Sequence, residues 1–332
     1  MNGTPRLPES VTVTVPARLH LGFLDLAGSL GRRFGSIGLA IAGLRTRLTV
    51  GRAPRNEVVG PQADRVERHL ETMRHELGLE GAHRVRIEAV APAHAGFGSG
   101  TQIALAVAAG VRCLANLPLD IRGDAVRLGR GSRSGVGIGL FDCGGLVVDG
   151  GRAPGAAAAA PVVSRLPFPE DWRVLVILDP ARQGMHSDAE AAAFARLPEF
   201  TDALAGHLCR LVLMQALPAV VERDIANFGA AIKDLQARLG DYYAPGQGGD
   251  RFASPDVAAV LIELDRDGAF GIGQSSWGPT GFAFAPSPKE ADRLAAVARR
   301  HPCGEGLDIR VCAALNRGAS MTARGGAAAP NK

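Results

Sequence analysis

The stretch Gly96-Phe97-Gly98-Ser99-Gly100-Thr101-Gln102 sets three glycines at alternate positions just ahead of an apolar, alanine-rich run, Ile103 to Leu114. Glycine there lets the backbone turn sharply and approach a ligand closely. A helix that begins at such a loop presents unpaired N–H groups and the positive end of its dipole, and both favour an anion. The chemistry this suggests is a phosphate or diphosphate held by Gly96, Gly98, Ser99, Gly100, Thr101 and Gln102. A plainer reading makes Ser99 or Thr101 the cap of a core helix. The loop is not a Walker motif, since no Gly-Lys-Ser/Thr follows. It is a poor dinucleotide fingerprint too, in glycine spacing and in lacking an acidic ribose partner.

Two further glycine clusters carry polar residues. Gly131 to Gly145 contains Ser132, Arg133 and Ser134, with Asp142 as its nearest acidic group. Arg133 suits an anion, and Asp142 suits a cation or is an ordinary turn or cap aspartate. Gly268 to Phe284 contains Gln274, Ser275, Ser276, Trp277, Gly278 and Thr280, small hydrogen-bonding groups around one of only two tryptophans. Near the start, Ala17 to Phe23 alternates, so Arg18, His20 and Gly22 share one face, and Asp25 follows in a turn. That face either meets a substrate or is an ordinary solvated strand face. Three glycine-rich loops in one chain argue for a single site that holds a heavily phosphorylated small molecule.

The elements that must position these residues are legible from periodicity. Val11 to Val15 reads as a strand ended by Pro16, with 17–23 a second extended piece and 37–50 a returning strand. A helix is expected over 66–78, a strand over 85–90 leading into the first loop, and a buried helix over 101–114. A short helix over 122–129 and a strand over 146–149 bracket the second cluster. Residues 150–161 read as a small-residue surface loop near a lobe boundary. A buried strand is expected over 173–178 and a helix over 187–196, with Ser187 and Glu190 as a capping box. Helices follow over 201–218, 219–239, 255–267 and 287–300, then a strand over 307–315. The Gly/Ala/Pro-rich tail from Gly318 reads as disordered.

Composition narrows the class. The 332 residues suggest two domains or one two-lobed unit, and 46% hydrophobic residues are enough to bury a real core. Net charge is +4, and of 37 basic residues only those at 233, 289 and 332 are lysine. No Lys/Arg block exceeds two residues and only 5% of residues are aromatic, which argues against a nucleic-acid surface. Scattered arginine fits small anionic substrates better. The five cysteines are far apart and lack a CxxC, so they read as reduced, mostly buried thiols without a zinc site. The first ten residues show no apolar signal segment, and no run of 18 apolar residues occurs. A soluble, cytoplasmic protein with no membrane partner is expected.

Taken in order, Arg18-Leu19-His20-Leu21-Gly22-Phe23-Leu24-Asp25-Leu26, the Gly96 to Gln102 loop and the C-terminal glycine cluster resemble the GHMP kinase superfamily. In detail they resemble one branch of it, the β-ribofuranosylaminobenzene 5′-phosphate synthases. Gly98-Ser99-Gly100-Thr101-Gln102 stands where the kinases have Gly-Leu-Gly-Ser-Ser-Ala. Gly129 to Gly137, Val148-Asp149-Gly150-Gly151, Phe168 to Trp172 and above all Gly273 to Thr280 are similar to that branch. The resemblance spans about residues 11–315. Arg152 departs from it, standing where archaeal members often have a histidine, and that departure bears on the reaction or substrate.

The resemblance implies an α+β, two-lobed GHMP-kinase-like fold. Residues 1–165 would form a lobe like ribosomal protein S5 domain 2, 166–317 a ferredoxin-like lobe, and 318–332 a flexible tail. It implies condensation of 5-phosphoribosyl 1-diphosphate with 4-aminobenzoate or a 4-hydroxybenzoate-like acid. CO2 and pyrophosphate would leave, in the pathway to tetrahydromethanopterin, with Mg2+ accompanying the diphosphate. A homodimer is implied too. On this view the backbone from Gly98 to Thr101 and Arg133 stabilise the departing anion. Arg18 or His20 holds a carboxylate or phosphate, and Asp25 or Asp142 serves the sugar cation or Mg2+. Ser275, Ser276 and Thr280 donate to phosphate, and Trp277 stacks on the aromatic ring. The rival readings are an ATP-dependent small-molecule kinase and a non-catalytic phosphometabolite-binding protein.

Overall fold

The computed structural model describes residues 7–184, 193 and 196–325. The first sheet is built on two long strands, β1 (Ser10–Asp25) and β2 (Phe34–Ala53), paired antiparallel over most of their length. Alternating burial in β1 puts Val11, Val13 and Val15 inside, as the period-2 pattern requires. The chain does not break at Pro16. The strand runs through it, and the register with β2 slips between Pro16 and Ala17, where proline offers no N–H to the ladder. β3 (Glu57–Val59) and β4 (Ala82–Ala89) extend one side of this sheet. β5 (Leu146–Asp149) pairs with β2 and with β6 (Val162–Leu166). On the other side β1 pairs with β11 (Ser320–Arg324). The expected flexible tail therefore begins with a strand, because Ser320 to Arg324 fill the open edge of β1.

Helix α1 (Ala63–Glu76) and α2 (Ser99–Leu114) cover this sheet. α2 is buried almost all round, against Val13, Leu48 and Val50 below and α1 above, as its apolar composition demands. α3 (Ile121–Arg127) is held to α2 by a buried bidentate ion pair, Arg112 Nε and Nη2 to Asp124 at 2.5 and 2.8 Å. The second glycine cluster is not all loop: Val136–Cys143 is a helix, α4. Gly137 and Gly139 lie inside it, where a side chain would meet Thr101 and Val147 respectively.

The second sheet is antiparallel, in the order β10 (Asp308–Ala313), β7 (Arg173–Leu178), β9 (Gly281–Ala285), β8 (Phe270–Gln274). Helix α7 (Ile225–Tyr243) covers one face, and α8 (Pro255–Arg266) and α9 (Pro288–Arg300) cover the other. α5 (Asp202–Leu211), a π-helical turn Val212–Ala216 and α6 (Leu217–Glu222) form one continuous rod. By length and mean hydropathy of 1.6 the rod Asp202–Glu222 is apolar enough to cross a membrane. Its residues Ala205, Leu208, Val212, Ala216, Ala219 and Val220 lie in the protein core. The single helix expected over 219–239 is broken at Arg223, whose φ is +60°. The expected 187–196 helix, with Ser187 and Glu190, lies almost wholly outside the described residues.

One apolar core joins the two sheets. Leu19, Leu21 and Phe23 of β1 pack with Val174 and Val176 of β7, Phe228 and Leu235 of α7, and Phe282 and Phe284 of β9. β1, still paired with β2, thus runs beneath the helices of the second sheet and carries Arg18 and His20 into the junction.

Candidate active site

The three glycine clusters and β1 close on one another. The Ser275 hydroxyl donates to the Gly96 carbonyl at 2.8 Å and accepts the His20 N–H at 3.0 Å. The Ser276 N–H reaches the His20 carbonyl at 3.3 Å, and the Gly184 N–H reaches that of His94 at 2.8 Å. The Gln102 amide donates to the Gly137 carbonyl at 3.4 Å, which brings the second cluster against the first turn of α2. Backbone proximity makes two glycines necessary. A side chain at Gly96, φ +89°, would begin 2.2 Å from the Ser275 carbonyl oxygen, and one at Gly98, φ +66°, would begin 2.7 Å from Arg18 Nε. Gly98 is the N-cap of α2 and offers no side-chain cap, so neither Ser99 nor Thr101 serves as the cap.

The structure redistributes the roles expected of the third cluster. Ser275 and Thr280 are fully buried, and the Ser275 hydroxyl is committed to His20 and Gly96. It braces the junction and is not placed to donate to phosphate. The Gln274 side chain accepts from the Ala253 N–H at 2.6 Å and donates to Gln247 at 2.9 Å and the Ser276 carbonyl at 3.1 Å. Gly278 lies against the backbone of Ala95, where a side chain would begin 2.5 Å from the carbonyl carbon. Trp277 is 3% exposed and its ring lies 4.5 Å from that of Tyr243, so its stacking partner is already supplied by the protein.

Arg18 lies along Gly98, with its Cδ 3.9 Å from where a Gly137 side chain would begin. His20 is 2% exposed, and its ring centroid is 4.6 Å from that of Phe23. Burial, and then the charge of Arg18, hold its pKa well below the ordinary value, so the imidazole is neutral near pH 7. Both ring nitrogens lack a hydrogen-bond partner among the described residues. His20 lines a cavity of about 20 Å3 together with Phe23, Gln236, Tyr243 and Trp277. That is room for a water-sized group and not for an aromatic ring.

The acidic expectations change most. Asp142 is exposed at the C-terminal end of α4, beside the Gly318 backbone. It lies five residues beyond Gly137, about 7.5 Å further along the helix axis. Asp25 accepts the Gly28 N–H at 2.9 Å and so closes the turn after β1, seven residues past Arg18. The acid that serves the second cluster is Asp149, which is fully buried at the end of β5. It accepts the N–H groups of Gly135 at 3.0 Å and Gly151 at 2.9 Å and the hydroxyl of Ser36. Burial raises its pKa, and these donors oppose the rise. Ser134 joins the same group through Ser36 at 2.6 Å. Ser132 is exposed, and its carbonyl accepts from Arg152 at 3.3 Å. Arg152 also donates to the Ala156 carbonyl, so it braces the loop backbone.

Two arginines not singled out from the sequence stand at the first turn of α2. A side chain on Gly100 would begin 3.5 Å from Arg130 Nη1 and 3.7 Å from Arg65 Nη1. Arg130 follows α3 and lies 3.3 Å from His69 Nε2, and Arg65 donates to Gln62 at 2.8 Å. The signal for Arg130 was its place in Gly129-Arg130-Gly131. Arg65 sits in a helix of alternating charges and gave none. No three His, Cys, Asp or Glu side chains converge to hold a metal among the described residues. Mg2+ needs only one or two protein carboxylates when substrate phosphates complete its shell.

Two family profiles match the chain, "GHMP kinases N terminal domain" over residues 64–145 and "GHMP kinases C terminal" over 216–302. A protein of Archaeoglobus fulgidus named β-ribofuranosylphenol 5′-phosphate synthase is 34% identical over 322 residues, 92% of this chain and 97% of that protein. Among solved structures, homoserine kinase from Cytophaga hutchinsonii superposes with a TM-score of 0.66 at 16% identity, covering 94% of this chain and 97% of that one. MDDEF in complex with MVAPP, AMPPCP and magnesium superposes with a TM-score of 0.65 at 17% identity, covering 96% and 99%. At these identities the superpositions show the shared two-lobed fold.

Proposed function

Because the chain belongs to the GHMP kinase superfamily and, within it, to the family of the β-ribofuranosylphenol 5′-phosphate synthases, we propose that it joins 5-phosphoribosyl 1-diphosphate to a 4-substituted benzoate. The motifs put 4-aminobenzoate first. The relative's name specifies a phenol product, so 4-hydroxybenzoate becomes the first acceptor to test. The observation that supports this reading is the closure of the resembling stretches, β1, the loop before α2 and the Gly273–Thr280 turn, around Gly96, Gly98 and Ser275.

In the proposed reaction the C1–O bond of the donor breaks and its electron pair leaves with pyrophosphate. The ring carbon that bears the carboxylate bonds to C1. The bond to the carboxylate then breaks, its pair restores the aromatic ring, and CO2 departs. No external oxidant or proton donor is required. The chain's part is to stabilise the leaving anion and align the two reactants, which supplies at best about 7–11 kcal/mol of the barrier. The start of α2 has no side-chain cap, which on this reading leaves its first N–H groups for the anion, and Arg18 lies beside them at Gly98. Neutral His20, beside a cavity that admits only a water-sized group, is suited to a hydrogen bond with water at the junction and not to holding a negative charge.

The test is a release assay. Purified protein, Mg2+ and 5-phosphoribosyl 1-diphosphate are mixed with carboxyl-labelled 4-hydroxybenzoate or 4-aminobenzoate, with ATP and alcohols in parallel. Matched CO2 and pyrophosphate release is expected. ADP formation without either product would overturn the reading in favour of a kinase.

A further inference from the structure

We propose that Arg65 and Arg130 form a two-guanidinium clamp for the diphosphate of the donor, at the first turn of α2. This rests on the reading above that the donor carries a diphosphate. Both guanidinium groups reach the same place, within 3.5 and 3.7 Å of where a Gly100 side chain would begin. They come from different elements, Arg65 from the first turn of α1 and Arg130 from the segment after α3. The buried Arg112–Asp124 pair fixes α3 on α2, so Arg130 is delivered on a rigid support.

What makes the pair informative is its lack of counter-charge. Arg65 donates to the neutral amide of Gln62, and Arg130 lies against His69. Neither has a carboxylate partner among the described residues. His69 cannot supply one, and burial together with Arg130, Arg65 and Arg68 depresses its pKa to about 4, so it stays neutral near pH 7. Several other arginines of this lobe either pair with an acid, as Arg47 does with Glu88 and Arg84 with Glu57, or donate to backbone carbonyls, as Arg32 and Arg33 do. Two half-buried like charges held together at a helix N-terminus without a side-chain cap raise the energy of the empty site. An anion with oxygens on two adjacent phosphorus atoms relieves both charges at once, and guanidinium forks match that geometry. A leaving diphosphate gains charge as the C1–O bond breaks, so the clamp strengthens along the reaction. The absence of a side chain at Gly100 leaves the space between the two groups open.

The probe is inorganic pyrophosphate, titrated calorimetrically into the full chain at low salt with EDTA, so that only the protein's own charges act. Arg65→Gln and Arg130→Gln are each expected to weaken binding by about tenfold or more, the cost of a charge-assisted hydrogen bond. Arg84→Gln, which removes an equal charge from the same lobe, is expected to bind like the parent. Thermal unfolding checks each fold. If either glutamine variant fails to fold, Arg65→Lys and Arg130→Lys keep the charge, lose the fork, and are expected to weaken binding severalfold. Undetectable binding by the parent, or equal binding by parent and both variants, would overturn the clamp. The release assay separates the two ideas. Turnover with unchanged pyrophosphate binding in the variants keeps the proposed reaction and removes the clamp. Clamp-dependent binding without turnover keeps the clamp and removes the reaction.

Discussion

The hydroxyl of Ser275 lies 2.8 Å from the carbonyl oxygen of Gly96, and the two residues are 179 positions apart. Through the His20 N–H, the same hydroxyl also holds β1. One buried side chain therefore sets the spacing of three segments that the sequence presents separately. Ser275→Ala leaves a buried N–H and a buried carbonyl each short of a partner. A loss of about 1–3 kcal/mol in unfolding free energy is expected, read by urea denaturation. A change smaller than the error of that experiment would show that the junction is held elsewhere.

Gly98 and Gly100 make a contrasting pair. At Gly98 a side chain meets both a left-handed backbone and Arg18 Nε at 2.7 Å. Gly98→Ala is expected to cost about 1–2 kcal/mol from the backbone alone and to displace Arg18. Gly100 lies in helical backbone with its nearest neighbours at ordinary contact distance. Gly100→Ala is expected to keep or raise stability, by up to about 1 kcal/mol, while weakening pyrophosphate binding. Melting temperature and calorimetry on the same two samples decide both points.

His69 sets a pH dependence whose sign follows from its surroundings. Its folded-state pKa is about 4, below the ordinary 6.5, because of burial and then Arg130, Arg65 and Arg68. The unfolded chain binds the proton more readily, so this residue lowers stability as pH falls from about 6.5 toward 4. His69→Gln should flatten that part of the stability profile. Pyrophosphate, by neutralising Arg65 and Arg130, should raise the His69 pKa in a proton NMR titration. A His69 pKa that does not respond to bound pyrophosphate would place the anion away from these arginines.

The two aspartates of the second cluster should separate cleanly. Asp142 is exposed, and Asp142→Asn is expected to shift stability by less than about 0.5 kcal/mol. Asp149 is fully buried and receives two backbone N–H groups. Asp149→Ala strands both donors, at about 1–3 kcal/mol each, and frees the loop that Ser134 and Gly135 belong to. Equal denaturation midpoints for the two variants would contradict this assignment.

The sequence was most legible where pattern and packing agree. The alternation of Val11 to Val15 and the apolar length of 103–114 fix a strand and a buried helix without help from distant residues. The convergence of glycine clusters was legible as well, because close backbone approach is what glycine permits at Gly96 and Gly278. Individual roles were not. Whether Ser275 faces a ligand or a carbonyl depends on what lies 179 residues away. Asp149 looks like the end of an apolar strand until Ser36 and Gly135 are brought to it. The helix Val136–Cys143 was hidden because glycine lowers helix propensity, and here close packing against Thr101 and Val147 overrides it.

The pairing of β11 with β1 bears on how the protein is made. Ser10 stands opposite Arg324, so the strand that carries Arg18 and His20 is completed by nearly the last described residues of the chain. On the ribosome, one edge of β1 stays bare until Ser320 to Arg324 have emerged. An open strand edge is a template for wrong partners, and contacts between distant residues form slowly. Nascent chains halted before residue 320 are therefore the species in which a chaperone would find an uncovered edge, and chains from which Ser320 to Arg324 have emerged are the first that can cover it themselves.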